Sequence, residues 1–202
     1  IADLMGRMAQ LCQFPAGERP QPYQSYYLDG TWIAGSREIV ERAAALGFNP
    51  QAGESVLDIG CLSGGFLQWA WLASALPAGI NRDGTIELVG RPGLLAGIDV
   101  SEDYLSCARD LARANRQNIH YERMDASYPA RIIEWARRFF PDGVAHLCAL
   151  SIEKHIGERA LWDIVDGIKA GPTNLETSAQ SELAIRLHDG VRVRGGKYLG
   201  HS

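Results

Sequence analysis

Short apolar runs alternate along this chain with longer segments of helical periodicity. Four of the runs are typical of buried strands: residues 55–59, 94–100, 118–124 and 144–150. Strands that alternate with helices of roughly 10–15 residues specify a parallel α/β sheet with right-handed crossovers. We therefore predict a doubly wound, mainly parallel sheet with helices on both faces. The four strands are expected in the spatial order 3-2-1-4.

Capping and stop signals place the helices between these strands. Ser36 is a good N-cap for a helix that stops at Gly47, and Ser101 caps another whose first turn carries Glu102 and Asp103. Further helices are predicted at 1–13, 66–76, 129–140, 158–169 and 179–188, and a late strand at 191–199.

The remaining segments set the domain organisation. Residues 14–24 contain three prolines and predict an extended linker, so residues 1–35 form an N-terminal arm that can cover a ligand. Residues 36–202 form the main domain. Within it, residues 77–93 lengthen the link between the first two strands of the sheet, and Asp83-Gly84 predicts an inserted hairpin there.

Composition narrows the class of protein. The 202 residues are 46% hydrophobic and 22% charged, as in an ordinary globular protein, and no apolar run reaches the roughly 20 residues of a membrane span. A formal charge of -4 argues against a general nucleic-acid binder. The four cysteines form no CxxC pair, so we expect no metal site, no secretory leader and a reduced, cytoplasmic setting.

Acidic residues close three successive predicted strands. Asp58, Asp99 and Asp125 stand at the ends of the first, second and third strands, and a glycine-containing turn, residues 60–65, follows the first. Ligands of open parallel sheets bind at the carboxyl ends of the strands, near the point where the strand order reverses. These three acids therefore predict a ligand site at that edge.

Four segments carry a resemblance to a known family. VLDIGCLSGG (56–65), GIDVS (97–101), MDAS (124–127) and HLCALSIEKHIG (146–157) resemble, in this order, the first four motifs of the class I S-adenosylmethionine (SAM)-dependent methyltransferases. The resemblance covers roughly residues 35–170. It implies a Rossmann-like methyltransferase fold, SAM as cofactor and S-adenosylhomocysteine (SAH) as product.

The resemblance also implies a cofactor site. Gly60 and Gly64 let the backbone approach the ligand, Asp58 receives the cofactor ammonium directly or through water, and Asp99 accepts the ribose hydroxyls. Asp125 and the Ala126 backbone face the adenine edge. Leu62 and Met124 are expected to sandwich the adenine ring, and Cys61, Val100 and Leu150 complete the cofactor site. Leu62 stands where the family pattern has a second glycine, which is a departure from it.

The substrate side rests on fewer signals. His155 and Glu153 follow the fourth strand and are the predicted catalytic residues, with His155 as a general base for a hydroxyl or amine. Either side chain equally fits a packing or capping role. In the arm, substrate contacts are predicted for Tyr26, Tyr27 and Trp32, with Arg37 near the cofactor carboxylate; simple packing of the arm is the alternative for each.

The expected acceptor is a small organic molecule, and no membrane partner is expected. RNA stays open as an acceptor although no basic or aromatic-basic strip indicates one. A non-catalytic SAM-binding or scaffold protein and a homo-oligomer also stay open. A nicotinamide-dependent dehydrogenase is disfavoured, because Leu62 breaks the G-x-G-x-x-G spacing that admits a pyrophosphate.

The family sheet usually ends in an antiparallel pair of strands, the last inserted between its neighbours. Residues 191–199 supply one strand of that pair, so the fold is expected to lack the last antiparallel strand. An open slot would expose unpaired backbone groups. We therefore expect the slot to be filled by another chain or by further residues, or to be closed by a shift of the late strand.

Overall fold

The protein is described here from a computed structural model. The structure describes residues 2–10, 22–35, 38–80, 86–90, 92–150, 152–168, 173–176 and 191–194. The described helices are α1 (Ala2–Gln10), α2 (Ile39–Leu46), α3 (Gly65–Ala73), α4 (Glu102–Ala114), α5 (Pro129–Phe139), α6 (Glu153–Ile156) and α7 (Glu158–Ile168). The described strands are β1 (Tyr26–Leu28), β2 (Thr31–Ile33), β3 (Val56–Ile59), β4 (Ala75–Ile80), β5 (Ile86–Gly90), β6 (Leu95–Asp99), β7 (His120–Arg123), β8 (His146–Leu150), β9 (Thr173–Glu176) and β10 (Val191–Arg194).

Six parallel strands form the central sheet, in the order β10-β9-β8-β3-β6-β7. The four strands predicted from the apolar runs correspond to β3, β6, β7 and β8, so the predicted order 3-2-1-4 is confirmed, as is the α/β fold class. The order reverses at β3, between β6 and β8. This is the place where an open parallel sheet offers a crevice for a ligand.

The alternation of side chains along each strand divides the core into two halves. Leu57, Ile59 and Ile98 point to one face of the sheet and pack with α5 and α7. Val56 and Leu95 point to the other face and pack with α2, α3 and α4. By the same alternation, Asp58 and Asp99 project from the face of the sheet that carries α2, α3 and α4.

The capping signals account for several helix ends. The Ser101 side chain accepts from the Tyr104 N–H, and Gly47 ends α2 in the left-handed conformation, as predicted. The start of α2 differs: its N-cap is Glu38, without a side-chain cap hydrogen bond, and Ser36 lies outside the described residues. Helix α3 ends at Ala73 rather than near residue 76, because β4 begins at Ala75.

The later part of the chain contains a strand that the sequence did not predict. β9 pairs in parallel with β8 on one side and with β10 on the other. The late strand therefore lies directly beside β9, which corresponds to the alternative in which it shifts to close the slot. The predicted helix at 179–188 falls outside the described residues.

Two further sheets, each of two strands, are separate from the central sheet. β4 and β5 pair antiparallel within the segment where an inserted hairpin is predicted. β1 and β2 form a second antiparallel pair in the N-terminal arm, where Leu4 and Met8 of α1 pack with Leu111 of α4. None of the helices in the described part of the chain has the length and apolarity that crossing a membrane requires.

Candidate functional site

A cavity of about 670 Å³ opens at the carboxyl ends of the central strands. This volume falls within the usual range for small-molecule sites. The loops that follow β3, β6, β7 and β8 form most of its wall, and the arm and α2 close one side. It is lined by Tyr23, Gln24, Arg42, Gly60, Leu62, Ile98, Asp99, Val100, Ser101, Tyr104, Met124, Asp125, Ala126, Ser127, Ile152, His155 and Ile156.

The turn after β3 brings the backbone to the cavity wall. Gly60 has a φ of +73°, and a Cβ at this position would lie 2.7 Å from Cδ1 of Ile152. The backbone conformation therefore favours glycine here, and a larger residue would also displace the end of the Ile152 side chain. Leu62, two residues on, also adopts a left-handed conformation, with a φ of +51°. This conformation is strained for a side chain of that size and favours glycine.

Asp99 is held in place by two backbone amides from different loops. The Leu62 N–H donates to its Oδ2 at 3.0 Å, and the Ser101 N–H donates to its Oδ1 at 2.9 Å. Only 7% of the residue is exposed, and that part faces the cavity. A carboxylate has about four lone-pair sites, so each oxygen keeps capacity for a further donor. The arrangement suits two adjacent hydroxyl groups of a ligand.

The loop after β7 supplies the next part of the wall. The Met124 N–H donates to the Asp99 carbonyl oxygen at 3.0 Å, which ties this loop to the end of β6. The Ser127 N–H donates to Oδ1 of Asp125 at 2.9 Å in a local turn. Ile98 and Met124 give this part of the wall an apolar surface, and Asp125 gives it polar atoms. A flat heterocycle needs both kinds of contact.

Asp58 is in the core beneath the cavity and is not part of its wall. Its residue surface is 2% exposed. Burial raises the pKa of Asp58 from 3.8 to about 8; the nearby Arg42 opposes this shift and the nearby Asp99 adds to it. The direct form of the predicted contact with a cofactor ammonium is therefore corrected, because this carboxyl group is buried and does not line the cavity; the contact through water stays a prediction.

Cys61 and Gly64 also do not line the cavity. Burial raises the pKa of the Cys61 thiol, which packs against Gly97. Gly64 has a φ of +78°, and a Cβ at this position would overlap the hydroxyl of Tyr121. The glycine therefore allows close packing of Tyr121 rather than contact with a ligand. The Leu150 side chain lies outside the described part of the molecule.

The predicted catalytic residues lie on the short helix α6. His155 is exposed and lines the cavity beside Ile152 and Ile156. Its backbone N–H donates to the Ile152 carbonyl at 2.8 Å. Glu153 begins the same helix, and its side chain is not among those described. The structure thus brings the His155 side chain to the site.

The predicted aromatic contacts from the arm are corrected. Tyr26 is 1% exposed and packs in the cluster that joins α1 to α4. Tyr27 meets the Trp32 ring edge-on at 5.8 Å, and Trp32 also contacts Trp69 of α3 at 6.4 Å between ring centroids. These rings pack the arm onto the domain away from the cavity. Arg37 lies outside the described residues.

Nine of the lining residues were not predicted as site residues, and four of them lie outside the loops at the strand ends: Tyr23 and Gln24 of the arm, Arg42 of α2 and Tyr104 of α4. The prediction that the arm covers the site holds for Tyr23 and Gln24, which lie about three residues before the predicted Tyr26 and Tyr27. Arg42 lies three residues after Ile39 and is 8% exposed, so it is on the buried stripe of α2. A charged residue in an apolar stripe at helical spacing was the available signal.

Comparisons with known proteins add little to this geometry. No family model matches the chain, and no curated protein matches it. Among solved structures, a protein of Pyrococcus horikoshii is similar at 19% identity and a TM-score of 0.46, over 73% of this chain and 60% of the other. A SAM-dependent methyltransferase from Clostridium acetobutylicum matches at 13% identity and 0.39, over 64% and 42%.

A dehydrogenase acting on 2-keto-3-deoxy-D-gluconate, from Streptococcus agalactiae, is similar to the same degree. It matches at 10% identity and a TM-score of 0.42, over 64% of this chain and 52% of the other. The chain thus spans about 42–60% of the length of these three structures. Likenesses at this level do not distinguish methyl transfer from hydride transfer, so an activity must be argued from the cavity itself.

Proposed function

We propose that this protein is a SAM-dependent methyltransferase that transfers a methyl group to a hydroxyl or amine of a small organic acceptor. The observation that carries the proposal is the anchored Asp99 carboxylate at the cavity wall. Its two oxygens are fixed by the Leu62 and Ser101 amides and each retains an acceptor site for a ribose hydroxyl.

The residues around Asp99 fit the rest of such a cofactor. Gly60 lines the cavity without a side chain of its own, so the ligand can approach the backbone there. Met124, Asp125 and Ala126 supply an apolar surface and polar edge for adenine. SAM contains no phosphate, and a pyrophosphate would need close approach to a backbone position that Leu62 covers with its side chain.

When bound, SAM supplies a methyl group on a sulfonium, which is an excellent leaving group. The protein then has mainly to position the acceptor and exclude water, effects worth up to roughly 7–11 kcal/mol in well-oriented systems. Ile152 and Ile156 give the cavity an apolar side beside His155. For a hydroxyl acceptor, His155 is the candidate base that takes the proton from the attacking oxygen.

The proposal is tested by titrating SAH into the wild type, Asp99→Asn and Asp99→Ala by calorimetry. Asp99→Ala is expected to weaken binding by about 1.5–3 kcal/mol, the scale of hydrogen bonds to a charged group. For a deoxyribose analogue of SAH, Asp99→Ala should cost less binding free energy, because this ligand lacks one of the hydroxyls that Asp99 accepts from. Asp103→Asn is the matched control: Asp103 is an exposed acid in the first turn of α4, the helix that follows Asp99, and it does not line the cavity.

Two results would contradict the proposal. Equal SAH affinity in wild type and Asp99→Ala would remove Asp99 from the binding site. Binding of NAD, in place of SAM and SAH, would assign the cavity to a dehydrogenase.

A further inference from the structure

Gln68 is a fully buried polar residue in an apolar helix. Helix α3 has the sequence GFLQWAWLA, and Gln68 is 0% exposed. A buried carboxamide without hydrogen bonds would cost free energy, so its partners indicate its role. Both of its polar groups bond the backbone of one arm residue. The Tyr27 N–H donates to Oε1 of Gln68 at 3.0 Å, and Nε2 of Gln68 donates to the Tyr27 carbonyl oxygen at 3.0 Å.

This carboxamide pairs with the outer edge of β1. Along an antiparallel strand, the backbone groups of successive residues alternately face the partner strand and face away from it. Both backbone groups of Tyr27 bond Gln68, so Tyr27 faces away from β2, and Tyr26 and Leu28 face β2. A slip of the arm by one residue would bring backbone groups that β2 already uses to Gln68. Gln68 is therefore complementary to a single register of the arm.

Helix α4 holds the same arm residue. Asn115, the C-cap of α4, donates from Nδ2 to the Tyr27 carbonyl oxygen at 2.7 Å, and its Oδ1 accepts from the Asp29 N–H at 3.3 Å. The Tyr27 carbonyl thus has one donor from each helix, which matches its two lone pairs. The arm is therefore tied to two helices, and Gln68 is the buried one of the two contacts.

The arm is also closely packed just before β1. Oγ of Ser25 accepts from the Ile39 N–H, the first residue of α2, at 2.8 Å. A Cβ at Gly35 would lie 2.4 Å from the Ser25 backbone nitrogen, and a Cβ at Gly65 would lie 2.9 Å from the Ser25 carbonyl oxygen. The space between these glycines thus admits the backbone of the arm and little more. A slip of one residue would turn each side chain of the arm to the opposite face.

We propose that Gln68 is a positioning residue of the ligand site: its carboxamide sets the register of the arm and thereby holds Tyr23 and Gln24 in the cavity wall. Gln68 itself does not line the cavity, whereas Tyr23 and Gln24 do. Its effect on a ligand therefore passes through the arm. The inference rests on the proposed function in that SAH is the ligand whose affinity reports on the wall.

The test is a thermodynamic cycle for SAH binding, measured by calorimetry. Gln68→Met removes the carboxamide at similar length and is expected to weaken binding roughly 10-fold, the scale of one lost hydrogen bond to a ligand. An arm variant that combines Tyr23→Leu with Gln24→Met should lose at least as much. Adding Gln68→Met to the arm variant should then weaken binding by less than about 2-fold, because the residues through which Gln68 acts are already altered.

Amide hydrogen exchange without ligand measures the register contact directly. In Gln68→Met, exchange in residues 23–28 is expected to be roughly 10-fold faster or more, while β3 and β6 keep their protection, because only the arm opens. Asn115→Ala removes the contact from α4 at a half-buried helix end, where the fold tolerates the change. This second variant should speed exchange in the same residues by a smaller factor.

Gln117→Met is the matched control. Gln117 is 6% exposed, does not line the cavity, and its carboxamide has no hydrogen-bond partner among the described residues. This variant should leave the SAH affinity and the exchange of the arm unchanged.

Two results would overturn the inference while the proposed function stands. One is an equal loss of SAH affinity from Gln68→Met in the wild type and in the arm variant, which would mean that Gln68 acts independently of Tyr23 and Gln24. The other is unchanged exchange of residues 23–28 in Gln68→Met. A wild type that binds no SAH would refute the proposed function, and the positioning role would fall with it.

Discussion

The buried Asp58 makes the stability of this protein depend on pH in a way that one substitution should abolish. Asp58 is 2% exposed on β3, and burial is the main cause of its raised pKa. Arg42 of α2 favours its ionised form, and Asp99 of β6 opposes it. Cys61 and Tyr121, buried near this carboxyl group, have raised pKa values for the same reason of burial.

The sign follows from which state holds the proton. Between pH 3.8 and about 8 the unfolded chain has an ionised Asp58, whereas the folded protein keeps it protonated. Stability is therefore fully present below the lower value and is lost as the pH rises toward the upper one. Each pH unit in this window is worth about 1.4 kcal/mol, so the whole window removes roughly 6 kcal/mol. That is a large part of the roughly 5–15 kcal/mol typical of folded proteins.

Asp58→Asn removes this titration while keeping a neutral side chain of the same size. We expect the variant and the wild type to be similarly stable near pH 4. By pH 8 the variant should be more stable by several kcal/mol, since asparagine cannot ionise. The difference in free energy of unfolding between the two proteins is measured by urea unfolding at a series of pH values, without ligand. It follows from the urea midpoints, provided that the slope with urea concentration is the same for both proteins.

Asp103→Asn is the control for net charge, because it removes one acid from an exposed site on α4. A constant stability difference between wild type and Asp58→Asn across this pH range would refute the reasoning. It would mean that Asp58 is ionised in the folded protein at every pH tested, with Arg42 or water stabilising the charge.

Two further substitutions test the glycine turn and the chemistry. Gly64→Ala should destabilise the fold by roughly 3 kcal/mol, since it combines a strained φ with an overlap between the new Cβ and the Tyr121 hydroxyl. Adding Tyr121→Phe should restore part of the loss. Unchanged denaturant midpoints would contradict this expectation. His155→Ala should reduce methyl transfer to a hydroxyl acceptor on the order of 10²–10⁴-fold while leaving SAH affinity nearly intact, and a fully active variant would return His155 to a structural role.

The central sheet could be predicted because its signals are local and strong. The strands β3 and β6 are continuous apolar runs bounded by turns, and such runs specify buried parallel strands. Strand β9 has the sequence TNLE, which shows neither an apolar run nor alternation of apolar residues. Its place in the sheet depends on its parallel pairing with β8 and β10, which a local pattern does not contain.

The site could be predicted in part for a similar reason. The strand ends placed Gly60, Asp99 and Asp125 at one edge of the sheet, and the structure puts all three in the cavity wall. The arm was harder to interpret, because a strand of three residues carries too little pattern to fix which side chains face the site. Arg42 was missed because its burial depends on the docking of α2 against the sheet.

The central claim is that this cavity binds an adenosine ligand without phosphate. Calorimetric titration of the wild-type protein with SAH, and separately with NAD, tests it most directly. We predict one SAH site per chain with a dissociation constant in the low micromolar range or below, corresponding to about 8 kcal/mol of binding free energy, and no detectable NAD binding. NAD binding without SAH binding would contradict the account.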